Sequence, residues 1–214
     1  MAEKAPAAIV ADVRRDQMLA AAAELIAERG FGDTRIADVA ARVDTSPALV
    51  VYYFGTKDKL LTEALRYSEQ SFYAVADEML ASTSSMVERL ETLVAWTCLS
   101  DAMEDVPGTW GLWFDLWAQA FRHPEVKKDR VDLDQRWRAM LARVVRDGMD
   151  AGEIETVDAE EFSIAFAALL DGLSIQTALD DPVVDGVRAY QVAMRFASAA
   201  LGFPWKYRRR RSTR

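Results

Sequence analysis

Apolar positions recur at steps of three and four along almost the whole chain, and no stretch alternates convincingly with period two. The pattern therefore predicts helices throughout. Leu19, Ala22, Ala23 and Ile26 define a first helix from about Asp12, with Gly30 placed to end it in a left-handed cap. A short second helix follows, with Thr34 as its N-cap and Ile36, Val39, Ala40 and Val43 on one face. Asp44 and Thr45 then form a tight break. Ser46 is a good N-cap, and Pro47 suits the first helical position, where its missing N–H would be unpaired anyway. That third helix runs from Ala48 to about Tyr53; Gly55 stops it and Thr56 caps the fourth. The fourth helix is long, with Leu61, Leu65, Ser68, Phe72, Val75 and Met79 on one stripe as far as Ser82–Ser85. Further helices are predicted at 86–100, 109–122, 124–151, 159–179 and 185–201. Pro107-Gly108, Pro124, Gly152 and Pro182 separate them, and Asp158 with Glu161 forms a capping-box pattern. The expectation is an all-α chain of about nine helices without internal repeats.

Composition narrows the class. With 214 residues, 51% hydrophobic and 28% charged, the chain can bury a sizeable core and has the balance of a soluble protein. No apolar run approaches the roughly 18–20 residues of a membrane span. Met1 to Pro6 lacks the basic-then-apolar layout of a secretory signal, so a cytoplasmic protein without a membrane partner is expected. One cysteine, Cys98, leaves no internal disulfide framework, and one histidine, His123, argues against a His/Cys metal cage; no metal or cofactor is expected. The acidic pairs Glu104-Asp105, Glu160-Glu161 and Asp180-Asp181 read as caps and solvated faces. With His123 before Pro124 in a loop and Cys98 in a buried-looking helix, no nucleophile–base set has supporting context, and the chain is not expected to be an enzyme.

Taken whole, the net charge of −8 argues against nucleic acid. Divided by region, it does not. Residues 1–59 carry eight Lys/Arg against nine Asp/Glu, residues 60–205 carry twelve against 25, and Lys206–Arg214 carries six positive charges and no acid. A neutral head, an acidic body and a basic tail suggest different partners for each part.

The second and third helices, joined by about three residues, have the proportions of a helix-turn-helix, whose second helix enters the major groove with its N-terminal residues at base edges. Two short helices at an angle also occur in many other all-α proteins. The wording of residues 30–61 is more specific: Gly30-Phe31-Gly32-Asp33-Thr34, the core Ile36-Ala37-Asp38-Val39-Ala40, then Ser46, Tyr52-Tyr53-Phe54 and Lys57-Asp58-Lys59-Leu60-Leu61. This resembles the N-terminal domain of tetracycline-repressor (TetR) type regulators over about 50 residues, and the all-helical remainder has the expected length. It departs from the family at Asp44, where glycine is frequent; Asp tolerates the left-handed geometry such a turn needs.

The resemblance implies a helix-turn-helix DNA-binding domain over 1–55 and a ligand-binding and dimerisation domain over 56–205; the Arg-rich composition of 206–214 adds the expectation of a basic, disordered tail. It implies phosphate contacts from Thr34, with the N–H groups opening its helix, and from Lys57 and the Tyr53 hydroxyl. Ser46, Pro47, Ala48 and Tyr52 would face the groove, with Arg35 in reach of a base or phosphate. None of those four groove residues is Arg, Lys, Asn or Gln, so readout would lean on thymine methyls, water and DNA shape. Phe54 reads as core, Tyr52 and Tyr53 as exposed.

Five of six tryptophans fall between residues 96 and 137. Trp110, Trp113, Phe114, Trp117 and Phe121 share one helical face, with Trp96 and Trp137 on neighbouring helices. Such a stripe more often builds core than a ligand box, but the resemblance implies an inducer cavity in this bundle, and Phe166 is read with the same set. Aromatic walls beside Asp101, Glu104, Asp105 and Asp115 would suit a small hydrophobic effector, including a cationic one. Phe162, Phe166, Leu169, Leu170 and Leu173, then Val187, Tyr190, Met194, Ala197 and Leu201, form dense apolar faces on the last two helices. Relatives pair these helices across a dimer, which places Phe166, Leu170, Leu173, Tyr190, Met194 and Leu201 at an expected homodimer interface, beside the alternative of intramolecular core. The expected function is a transcriptional regulator, a repressor released from pseudo-palindromic operator DNA when an effector shifts the fourth helix. The alternative is a helical protein-interaction module without sequence-specific DNA binding.

Overall fold

The short polar breaks and strong caps do what their chemistry dictates, and nine α-helices form among the described residues. In the computed structural model, which describes residues 6–99, 110–121 and 124–207, these are α1 (Pro6–Asp33), α2 (Ile36–Arg42), α3 (Pro47–Phe54), α4 (Lys57–Ser82), α5 (Met86–Cys98), α6 (Trp110–Ala120), α7 (Pro124–Asp150), α8 (Ala159–Ala178) and α9 (Gly186–Leu201). No strand occurs among the described residues, and no helix among them is long and apolar enough to cross a membrane. Asp101, Glu104, Asp105, His123, the Trp110 side chain and the Arg-rich stretch from 208 onward lie outside the description.

The chain makes two compact units, Met1–Asp77 with Asp105–Arg130, and Glu78–Glu104 with Val131–Arg214. In the first, α2 and α3 pack on each other and α1 packs on α2 and α6. Leu19, Ala22, Ile26, Val39, Ala40, Val50, Phe54 and Leu61 are buried there. In the second, α5, α8 and α9 pack on one another. Asp158 and Asp185 cap the last two helices by accepting Glu161 N–H at 2.9 Å and Arg188 N–H at 2.7 Å. Glu153 accepts the Met86 N–H at the start of α5 at 3.0 Å, and Ser174 on α8 donates to the Thr97 carbonyl at 2.9 Å. The Trp205 indole donates to Glu91 at 2.6 Å and packs its ring at a tilt against Tyr190 and Tyr207, tying the C-terminal segment to α5 and α9. Cys98 is buried, and desolvation pushes its thiol up to about 11, an inert structural residue.

Three expectations change. Gly30 does not end α1 in a left-handed cap: its φ is 82° and ψ 163°, and one more turn follows to Asp33. The α4 stripe holds through Leu61 and Leu65, then moves by one residue to Glu69, Tyr73, Ala76 and Leu80, leaving Val75 and Met79 exposed. Both candidate faces carry large apolar groups, with Phe72 and Tyr73 adjacent and their rings 5.2 Å apart, so periodicity alone could not choose between them. The third change concerns α8 and α9. Phe166, Leu170, Leu173, Tyr190, Met194 and Leu201, expected between protomers, are all buried within one chain. Packing these side chains intramolecularly removes their apolar surface from water within a single protomer.

Candidate functional site

The sequence Asp44-Thr45-Ser46-Pro47 builds the turn of the helix-turn-helix from local chemistry. Asp44 takes the expected positive φ of 49°, and its carbonyl accepts Arg14 Nη2 at 3.1 Å, which fixes the turn to α1. The Ser46 hydroxyl oxygen accepts the Leu49 N–H at 3.2 Å and Pro47 opens α3. Gly55, at φ 75°, closes α3, and Thr56 starts α4 by accepting the Lys59 N–H at 3.2 Å. Val50 and Phe54 anchor α3 inward, so its other face points out. Ser46, Pro47, Ala48, Val51 and Tyr52 are exposed, Tyr52 at 82% and Val51 at 44%. Tyr53 is half-buried, with its ring edge-on to Tyr52 at 5.7 Å. Val51 is absent from the sequence-derived set, although its place four residues after Pro47 puts it on the same face.

The head is cross-braced by charge. Arg42 on α2 pairs with Glu24 at 3.1 Å and Glu28 at 2.9 Å on α1. Its hydrogen bond holds the Glu28 carboxyl below its ordinary range. Arg15 pairs with Glu63 on α4 and lies 5.5 Å over the Phe54 ring.

One expected phosphate ligand takes another position. Thr34 is fully buried, and its hydroxyl donates to the Gly30 carbonyl at 2.8 Å, so it neither caps α2 nor faces solvent. Arg35, exposed and extended, is the residue before α2, and Asp38 accepts its N–H at 3.2 Å. The break at Gly30 leaves a carbonyl that the Thr34 hydroxyl and N–H both satisfy inside the protein, an effect that cap statistics do not contain. Lys57 donates to the Gly32 carbonyl at 2.8 Å and lies 5.9 Å over the Phe31 ring, leaving the other ammonium protons for solvent or phosphate.

The expected aromatic set is divided between the two units. Trp113, Phe114 and Trp117 on α6 belong to the first and are half-buried, with Trp117 6.3 Å from Trp113 and 6.0 Å from Phe114. The Trp117 Nε1 is buried without an acceptor among the described residues. Trp96 and Trp137, also half-buried, belong to the second. Phe166 is not a free wall. It is fully buried with its ring 5.0 Å from Phe162 and 6.1 Å from Phe196, so stacking occupies it. No cluster of three metal-ligating side chains occurs among the described residues.

A buried-cored pair of short helices, an exposed second helix and an all-helical body define a helix-turn-helix DNA-binding regulator. Two family models match: bacterial regulatory proteins of the tetR family over residues 18–64, and the C-terminal part of BetI-type transcriptional repressors over residues 86–202. The chain belongs to the TetR family of bacterial transcriptional regulators, in its BetI-like branch of repressors, and is not an enzyme. The regulator BetI of Burkholderia mallei is 28% identical over 184 residues, covering 85% of this chain and 90% of its own. A transcriptional regulator from Saccharomonospora viridis, crystallised in complex with choline, is 27% identical with a TM-score of 0.78, over 89% of this chain and 98% of that one. A TetR regulator from Haloarcula marismortui shares the fold at 24% identity and a TM-score of 0.74, covering 89% and 97%.

Proposed function

We propose that the chain is a dimeric repressor that grips a pseudo-palindromic operator through α3 and releases it on binding a small quaternary ammonium compound of the choline type. The observation that carries the effector class is the choline in the Saccharomonospora viridis relative, which matches this chain over nearly its whole length. The aromatic residues on α6 supply ring faces of the kind that hold such cations, and the buried Trp117 Nε1 would donate to the ligand's hydroxyl oxygen. Desolvated cation–π contacts contribute about 2 kcal/mol or more, so the neutral carbon isostere 3,3-dimethylbutan-1-ol should bind at least about 30-fold more weakly than choline. Titration of tryptophan fluorescence with choline, the isostere and simple carboxylates tests this. A response to carboxylates alone would sink the cationic reading.

On the DNA side, Ser46, Pro47, Ala48, Val51 and Tyr52 form the reading face, and Arg35, Tyr53 and Lys57 address the backbone. The operator is obtained by selecting random oligonucleotides with the purified protein. Lys57→Ala should then weaken binding about threefold to tenfold and reduce the salt slope by about one. An unchanged slope would remove Lys57 from the phosphate contacts, and recovery of no preferred sequence would favour the protein-interaction alternative. Dimerisation uses what α8 and α9 leave outside: Ile164, Ala165, Ala168 and Leu179, with Phe196, Ala199 and Ala200.

A further inference from the structure

Several hydrogen bonds meet at the break in α1. Gly30 adopts φ 82° and ψ 163°, a region open essentially to glycine alone, so the helical hydrogen-bond ladder cannot continue through it. The Phe31 N–H is taken instead by Asp115 Oδ2 of α6 at 2.5 Å, a charge-assisted bond from a distant segment. The carboxylate sits directly on the glycine, and a Cβ at residue 30 would lie 3.2 Å from Oδ2. Two more ties leave the same turn. The Gly30 carbonyl accepts the Thr34 hydroxyl at 2.8 Å and its N–H at 3.3 Å, which sets the entry to α2. The Gly32 carbonyl accepts Lys57 at 2.8 Å, which sets the start of α4. Phe31 itself is buried beneath Lys57. Asp115 lies two residues after Trp113 and two before Trp117, on the opposite side of α6 from those rings.

We propose that Asp115 is a positioning residue that ties α6 to the kink of α1, so that displacement of α6 is transmitted through the Phe31 amide to the helix-turn-helix. The coupling part rests on the effector reading above; the positioning part does not. Asp115 touches neither ligand nor DNA in this account. It works because one rigid hydrogen bond joins the helix bearing the aromatic set to the turn from which α2 and α4 both take their direction.

Asp115→Ala removes the acceptor, and Asp115→Asn keeps an oxygen in place without the charge. In the full-length protein, three quantities are read for each: exchange of the Phe31 amide, operator affinity without ligand, and the ratio of operator affinities with and without choline. Asp115→Ala should raise Phe31 amide exchange by about tenfold or more, as expected for a lost part-buried charge-assisted bond. It should bring the choline ratio close to one while choline still quenches tryptophan fluorescence within about threefold of the wild-type concentration. Asp115→Asn should restore most of both. A variant that merely loses stability would melt earlier with an unchanged choline ratio, and that result overturns the proposal. Gly30→Ala, which strains the break and presses its Cβ to 3.2 Å from Asp115 Oδ2, should reproduce the loss of coupling if Asp115→Ala does not fold. Choline failing to bind the wild type would defeat the effector reading instead. In that case, unchanged operator affinity and Phe31 exchange in Asp115→Ala would overturn the positioning role as well.

Discussion

Phe54→Ala is expected to abolish operator binding and to destabilise the helix-turn-helix head by about 3–5 kcal/mol, the usual cost of truncating a fully buried aromatic. The ring is 1% exposed at the last position of α3. It contacts Arg15 at 5.5 Å through its face and Tyr53 at 6.2 Å. A whole domain has only about 5–15 kcal/mol in hand, so a loss of this size leaves α3 unanchored at physiological temperature. Tyr52→Ala is the matched control, because that ring stands 82% exposed two residues away. Its removal should change stability by no more than about 0.5 kcal/mol, yet weaken operator binding about tenfold if the ring meets the DNA. Thermal unfolding followed by circular dichroism, paired with mobility shifts, separates the two. A Phe54→Ala protein that melts and binds like the wild type would show that the head does not depend on this ring.

That contrast shows which features the sequence carries. Where structure is set by a residue's own backbone and near neighbours, the local sequence pattern suffices. Pro47 opens α3, Ser46 caps it, Gly55 closes it, Thr56 starts α4, and Asp44 turns at positive φ. Each depends on contacts within about four residues, so no tertiary knowledge was needed. The exposure of Tyr52 beside the burial of Phe54 follows from helical geometry once the core face is known. Thr34 differs because its partner is a carbonyl freed by the Gly30 break, and that break is in turn stabilised from Asp115, 84 positions away. A side chain that looks like an N-cap in a window of ten residues becomes an internal brace when a distant carboxylate fixes the turn before it. On α4, and between core and interface on α8 and α9, a different limit applies. These helices are apolar on more than one side, and periodicity reports that a helix is amphipathic without saying which of two apolar faces lies inward. On α8, Phe162, Phe166 and Leu170 went in together with Ser163 and Ala167, while Ile164, Ala165 and Ala168 stayed out, so the inward face is the one that packs on α5 and α9 and not simply the bulkier one.

The last point yields the second large effect: Ala168→Glu should convert the protein to a monomer while leaving each chain folded. Ala168 is exposed, on the same side of α8 as Ile164, itself 53% exposed. A Cβ at Gly172 would meet nothing within 4 Å. Small residues at 165, 168 and 172 leave a shallow surface on which a second helix could approach closely. In a two-fold interface every substitution appears twice, so one glutamate places two carboxylates near the axis, and juxtaposed like charges cost several kcal/mol. That corresponds to a dimer dissociation constant raised by about 100-fold or more. Chain stability should move by no more than about 0.5 kcal/mol, because the site is exposed within the protomer. Operator affinity should fall in step with the dimer, since one head alone forfeits the roughly 100-fold or greater advantage of two linked half-sites. Leu170→Ala, two residues on but buried at 1%, should do the reverse, lowering the melting transition by about 2–5 kcal/mol of stability through its cavity. Sedimentation at micromolar concentration and a mobility shift decide between these assignments. If Ala168→Glu sediments as a dimer and still occupies a paired site, the outward face of α8 is not the contact, and the buried residues would have to be reconsidered as one that opens on assembly.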